Sequence, residues 1–209
     1  MHIEIYSDLV CPWCYVGRQR LHAALAQRPD LPVDVRWLPF ELNPGIGPQG
    51  MDRTEYLTGK FGDAAQLAAM QRHIGEVGSE FGIDFHFERI RKTPNTRAAH
   101  SLMAVAAAAG KQNEVVGAVF AAYFEQGRDL GDLDVLAEIG AAHGLARDAT
   151  LAALADRRHH AQIVAHERQA AQWGISGVPT FIFDRRYAVS GAQEPAVFLK
   201  VFDSLRAAA

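Results

Sequence analysis

The only two cysteines of the chain stand three apart, in Cys11-Pro12-Trp13-Cys14, at a junction between two kinds of pattern. Before them His2-Ile3-Glu4-Ile5-Tyr6 alternates apolar and polar residues, the period of a strand. After them, from Cys14 to Leu25, apolar residues recur at helical spacing. A strand must therefore end, and a helix begin, where the cysteines lie. Cys11 then falls at the helix N-cap, where free backbone N–H groups and the positive end of the helix dipole face its sulfur. That environment favours thiolate, the form that attacks disulfides. Pro12 takes the first helical position, where a missing N–H costs nothing. Cys14 lies one turn on and on the same side, placed to close a ring or resolve a mixed disulfide.

Two plainer readings compete. A CxxC is also half of a zinc site, and His159, His160 and His166 cluster on a late helical stretch, although no second cysteine pair exists. Two buried, inert cysteines packing as small hydrophobes are the other.

Composition narrows the classes. At 209 residues the chain is long for one minimal domain and ordinary for a domain with an insertion. Its 49% hydrophobic content supplies a core without staples. A net charge of −3 and the absence of a basic run exclude a nucleic-acid partner. No apolar segment is long enough to span a membrane. The chain opens on a charged strand rather than an apolar leader, so a reducing cytoplasm is expected, where disulfides are transient and catalytic.

In order, residues 1–6 read as a strand, 12–27 as a helix and 33–40 as a second strand, together a right-handed βαβ unit. Glu41-Leu42-Asn43-Pro44-Gly45-Ile46-Gly47-Pro48 is turn chemistry that leaves the sheet. Alanine-rich helical segments follow at 53–61, 64–81, 96–109, 112–126, 133–143 and 147–173, the last broken near Asp156. Gly110, Gly127, Gly131 and Gly144 are read as helix ends. Strand chemistry returns in 177–184 and, past the turn at Arg185-Arg186, in 187–190, before a last helix at 195–205. The fold class is therefore α/β: a thioredoxin-like fold with a large all-helical insertion. Residues 1–48 and 174–209 form its discontinuous thioredoxin-like domain and 49–173 the inserted helical domain. In this layout Val178-Pro179 sits where a thioredoxin-type domain carries a cis-proline loop, which would turn the Val178 backbone outward to pair with a substrate chain; an ordinary trans proline at a strand start is the alternative.

Four separated motifs resemble the DsbA-like thioredoxin-fold oxidoreductases, in the FrnE-type cytoplasmic branch. They are Ser7-Asp8-Leu9-Val10-Cys11-Pro12-Trp13-Cys14, Pro39-Phe40-Glu41-Leu42-Asn43-Pro44, Asn95-Thr96-Arg97-Ala98-Ala99-His100, and Gly174 to Phe181 continuing through Val189-Ser190-Gly191-Ala192-Gln193. The resemblance implies a thiol–disulfide oxidoreductase or isomerase with Cys11 attacking, Cys14 resolving and Pro179 as the cis-proline. DsbA is similar in layout but has a histidine inside its CxxC, where this chain has Pro12-Trp13, so a less extreme oxidant is implied. Some FrnE-type relatives carry further cysteines in a C-terminal extension; this sequence stops at Ala209 without one. The kappa-type glutathione transferases and 2-hydroxychromene-2-carboxylate isomerases look similar in the insertion but use serine at the Cys11 position.

Around the dithiol, Asp8 and Glu4 are candidate proton acceptors for Cys14, with a local turn bond as the alternative for Asp8. Trp13 is expected exposed on the rim, as a platform for substrate. Asn95 reads as a helix cap; in the resemblance it faces the cysteines and contacts substrate. His100 reads as a core histidine or, likewise, a substrate contact. His159 and His160 belong to a solvated face. The first expectation is a dithiol oxidoreductase acting on a disulfide-containing protein or a small thiol. It requires no metal or other cofactor and admits glutathione as thiol partner. The second is a glutathione-dependent isomerase or transferase on a small hydrophobic substrate, and the third a non-catalytic binding module. Monomer and homodimer remain equally open.

Overall fold

Strand His2–Ser7 (β1) is the inner strand on which both ends of the chain converge in the computed structural model, which describes residues 1–207. Helix α1 (Pro12–Ala26) crosses from it to β2 (Asp34–Pro39), which pairs parallel with β1, Ile5 opposite Trp37. On the other side β1 pairs antiparallel with β5 (Thr180–Phe183), Ile5 opposite Phe181, and β5 with β6 (Tyr187–Ser190). The sheet order is β2-β1-β5-β6, and α9 (Pro195–Ala207) packs on α1. The expected thioredoxin-like α/β layout stands, with element ends within a few residues of the sequence reading. Ala208 and Ala209, the last positions of the expected C-terminal segment, lie outside the described residues.

Between the two halves come α2 (Arg53–Phe61), α3 (Ala64–Ser79), α4 (Arg97–Ala108), α5 (Gln112–Phe124), α6 (Leu133–Ala142), α7 (Arg147–Ala155) and α8 (His160–Gln172). Their starts follow local chemistry. Asp52, Asp63 and Asp132 cap α2, α3 and α6 by accepting from backbone N–H groups of the first turn. The break after α7 carries Arg157 at φ 57°, which no helix interior admits. Two details differ from the expectation. The insertion is not purely helical: Met51–Asp52 (β3) and Lys92–Thr93 (β4) form a short antiparallel ladder. Two-residue strands carry no alternation to read. Gly131 is not a left-handed helix end, unlike Gly110, Gly127 and Gly144; its N–H donates to Asp129 Oδ1 ahead of the α6 cap.

One continuous apolar core joins sheet and insertion. It runs from Ile3, Ile5 and Phe181 through Tyr15 and Val16 to Phe120, Phe124 and Leu102. The other sheet face holds a smaller cluster, Tyr6, Leu38 and Ile182 against Ala170 of α8.

Candidate active site

Cys11 is the N-cap residue of α1 with an extended backbone, and Pro12 opens the helix as its position required. The approach to it is a tight turn: the Cys11 N–H donates to the Asp8 carbonyl at 3.1 Å. Cys14 sits one turn in, its N–H donating to the Cys11 carbonyl at 3.0 Å. Both cysteines are free thiols. Cys11 is 5% exposed and Cys14 is 0% exposed, so the pair is graded from cavity edge to interior.

The Val178–Pro179 peptide bond is cis. The Cys11 thiol points at the Val178 carbonyl oxygen across 3.8 Å. What lets α1 come this close is Gly17, where an added Cβ would stand 3.0 Å from Pro179 Cγ and 3.1 Å from Phe181 Cζ. A side chain there would push the helix from the loop.

Burial sets the state of the inner thiol. Desolvation, then the neighbouring Cys11 sulfur, push the Cys14 thiol well above its ordinary pKa, while the Ser7 hydroxyl and the Asp8 backbone pull weakly the other way. Cys14 is therefore a protonated thiol at neutral pH.

Beside Cys11 opens a cavity of about 280 Å³. One wall is Val10, Pro12, Trp13, Leu42 and Val178; the opposite wall comes from the insertion, with Leu57 and Phe61 of α2, Met70 and Ile74 of α3, and Phe87. Two cations and no acid line it. Lys60 is held by the Tyr56 hydroxyl at 2.8 Å and by Asn43 Oδ1 at 3.1 Å. Arg53 is buried against the Tyr123 hydroxyl at 3.2 Å and makes no ion pair among the described residues.

The expected site residues divide. Cys11, Trp13 and Val178 share this cavity, while Cys14 and Pro179 lie directly behind it. Trp13 is not an exposed platform: it is half-buried, 5.9 Å from the His73 ring of α3, because the insertion closes over it. Asn95 does not reach the cysteines. It accepts from the Arg97 N–H, donates to the Ile46 carbonyl and lines a separate cleft with Arg157 and His160. His100 is buried and lines neither; it lies 3.8 Å from Asp8 on the inner side of the dithiol. Glu4 sits on the opposite sheet face from the cysteines, 3.5 Å from Arg185. Asp8 is fully enclosed, with Oδ2 accepting from the Leu42 N–H at 2.7 Å; burial raises its carboxyl to about 6. His160 and His166 line cavities other than that of the cysteines. The residues that α2 and α3 contribute escaped sequence reading. Nothing local marks Arg53, Leu57 or Met70 as neighbours of Cys11.

Against known proteins, the family model of the DSBA-like thioredoxin domain matches residues 2–203. The Bacillus subtilis protein YwbO is 30% identical over 203 residues, 96% of this chain and 94% of that protein. The crystal structure of a probable DsbA oxidoreductase from Streptomyces coelicolor is similar with TM-score 0.88 at 35% identity, over 96% of this chain and 88% of the other. Two more distant structures share the fold. Cytosolic disulfide reductase DsbM from Pseudomonas aeruginosa has TM-score 0.70 and 20% identity, covering 100% of each chain. A 2-hydroxychromene-2-carboxylate isomerase has TM-score 0.74 and 19% identity, over 98% of this chain and 96% of the other.

Proposed function

We propose that this chain, which belongs to the DSBA-like thioredoxin domain family, exchanges disulfides through Cys11 and Cys14. The observation that carries the reading is the graded pair: a free thiol at the N-cap of α1 on the edge of a cavity, with a second, buried thiol one turn behind it. Cys11 attacks a disulfide RS–SR, giving a Cys11–S–SR mixed disulfide and RS⁻. Cys14 loses its proton, attacks the Cys11 sulfur and expels the second RS⁻, leaving a Cys11–Cys14 disulfide. The substrate is reduced and the protein dithiol oxidised; the reverse sequence makes a disulfide. The exchange needs no metal or organic cofactor. The Val178 carbonyl and Trp13 hold the substrate beside Cys11, with Pro179 shaping that wall. The similarity to a cytosolic reductase supports a cytoplasmic setting.

Size and charge of the cavity favour small disulfides bearing a carboxylate, and glutathione as thiol partner. The same feature supports a second reading, glutathione-dependent isomerisation or transfer on a small hydrophobic substrate, in which Cys14 is dispensable. One variant separates them. Cys14→Ser is expected to abolish turnover of a disulfide and to accumulate a Cys11 mixed disulfide, visible as added mass that a reductant removes. Undiminished glutathione-dependent turnover in that variant, with no trapped adduct, defeats the dithiol reading in favour of the second.

A further inference from the structure

The cleft that holds Asn95 measures about 450 Å³ and shares no lining residue with the cavity of Cys11. Pockets for small molecules are commonly of this size. Its walls come from four separate stretches of chain: the loop after β2, the start of α4, the start of α6, and the break between α7 and α8. Asn95 ties two of them together. Its Nδ2 donates to the Ile46 carbonyl at 2.8 Å while its Oδ1 accepts from the Arg97 N–H. Part of the lining is apolar, with Ile46, Leu133 and Leu154 beside Pro44 and Pro48. The polar part is basic: Arg97, Arg157 and His160 line the cleft and no acid does.

These basic groups keep donors that the fold does not use. Helix α7 ends at Ala155, and Arg157 takes the left-handed position beyond its C-cap, at φ 57°. Helices α4, α6 and α8 place glycine there, at Gly110, Gly144 and Gly174, without a Cβ penalty. The adjacent acid, Asp156, is taken by Arg158. The Arg157 guanidinium has no hydrogen bond or ion pair among the described residues. A side chain that strains the backbone and finds no polar partner in the fold has its use outside it. Arg97 gives its Nε to Glu41 at 2.9 Å, and its two Nη groups have no hydrogen bond among the described residues. Glu41 is buried and does not line the cleft. Burial, then the charges of Arg157 and Arg97, hold the His160 ring below its ordinary pKa, with Glu41 pulling the other way. Both guanidinium charges therefore reach one point.

We propose that this cleft is a ligand site separate from the dithiol, taking a small organic anion with a carboxylate or phosphate head and an apolar body. The head lies between the Nη groups of Arg97, the Arg157 guanidinium and the His160 ring, where charge-assisted hydrogen bonds form side by side. The body covers Ile46, Leu133 and Leu154 and removes their surface from water. Other ligand classes fit less well. A metal cation finds no acid in the lining, and a neutral apolar molecule leaves both arginines without partners. Binding here does not depend on the disulfide exchange proposed above, since Cys11 and Cys14 take no part in it.

Isothermal titration of the full chain with octanoate, octyl phosphate, octanamide and inorganic phosphate tests the site. One or both of the octyl-chain anions are expected to bind one to one, and more weakly as salt rises. Octanamide has the same body as octanoate without its charge and should bind roughly 10-fold or more weakly than octanoate. Inorganic phosphate, which leaves the apolar wall bare, should likewise bind more weakly than octyl phosphate. The tighter of octanoate and octyl phosphate tells a carboxylate ligand from a phosphate one. Arg157→Asn removes the guanidinium and keeps a residue that tolerates the left-handed backbone; it should weaken anion binding roughly 10-fold. Lys60→Gln should leave the affinity unchanged, because Lys60 lines the cavity of Cys11. Octanamide binding as tightly as both anions, or no saturable binding of either anion, overturns the proposal. So does a loss on Lys60→Gln without one on Arg157→Asn, which puts the anion beside Cys11. Should Arg157→Asn not fold, the wild-type comparison with octanamide and the Lys60→Gln result decide.

Discussion

At Asp8 and His100 burial acts on an acid and a base at once, with opposite consequences for stability. The Asp8 carboxyl rises from 3.8 to about 6 on folding. Between those values the folded state holds a proton the unfolded state has lost, so this residue's contribution falls as pH rises from about 4 to about 6. His100 drops from 6.5 to about 4. Over that interval the unfolded state holds the extra proton, and stability rises with pH. Each shift is worth roughly 3 kcal/mol, and in the wild type the two slopes nearly cancel. Denaturant titrations through this window should show it. Asp8→Asn unmasks a stability that climbs with pH, and His100→Asn one that declines; parallel curves for all three proteins would refute the assignment. The slope, rather than the level, is the measure, because either variant also alters local hydrogen bonds. Little of this was legible beforehand. Asp8 stood out as an acid near a CxxC, but its contact with the Leu42 N–H spans a helix and a strand, α1 and β2. His100 looked like a core histidine because no local pattern says which groups surround a helix face.

Helix α1 carries the site by what it lacks as well as by what it bears. Alanine is the better helix former, yet Gly17→Ala is expected to destabilise by about 1–3 kcal/mol, since the new methyl overpacks the Pro179 ring. The loss should appear as a lower denaturation midpoint together with slower Cys11 reaction. Unchanged reactivity would mean that the helix–loop approach is not what holds the dithiol. The sequence placed α1 well, from Pro12 at its start to Pro29 just beyond its end, because proline and apolar spacing are local signals. It also placed the α2 to α8 helices within a few residues, through alanine-rich periodicity and the glycine breaks at Gly110, Gly127 and Gly144. The β3–β4 ladder and the burial of Trp13 were not legible. Both depend on how α2 and α3 fold back over the sheet end, and that is a tertiary fact.

Across the whole molecule the apolar core is shared between the sheet and the insertion, so neither is expected to unfold alone. Phe120 of α5 stacks 5.2 Å from Tyr15 of α1 and stands edge-on to Trp37 of β2 at 6.2 Å. Phe120→Ala should cost about 3–5 kcal/mol and lower the midpoints of helical and aromatic signals together; a helical transition left at its wild-type position would show two separable units. The division into residues 1–48 with 174–209 and residues 49–173 was read from pattern. It describes how the sequence is arranged, whereas packing draws no such boundary through Tyr15, Phe120 and Phe124. Pairing β1 with β5 carries one further consequence, in time rather than space. A ribosome working at roughly 5–20 residues per second releases Cys11 about 10–30 s before Pro179. For that interval the nascent chain holds both thiols without the strand and loop that will cover them. They are open during synthesis to any oxidant or disulfide in reach, and guarding them falls to the surroundings of the ribosome until the last quarter of the chain has emerged.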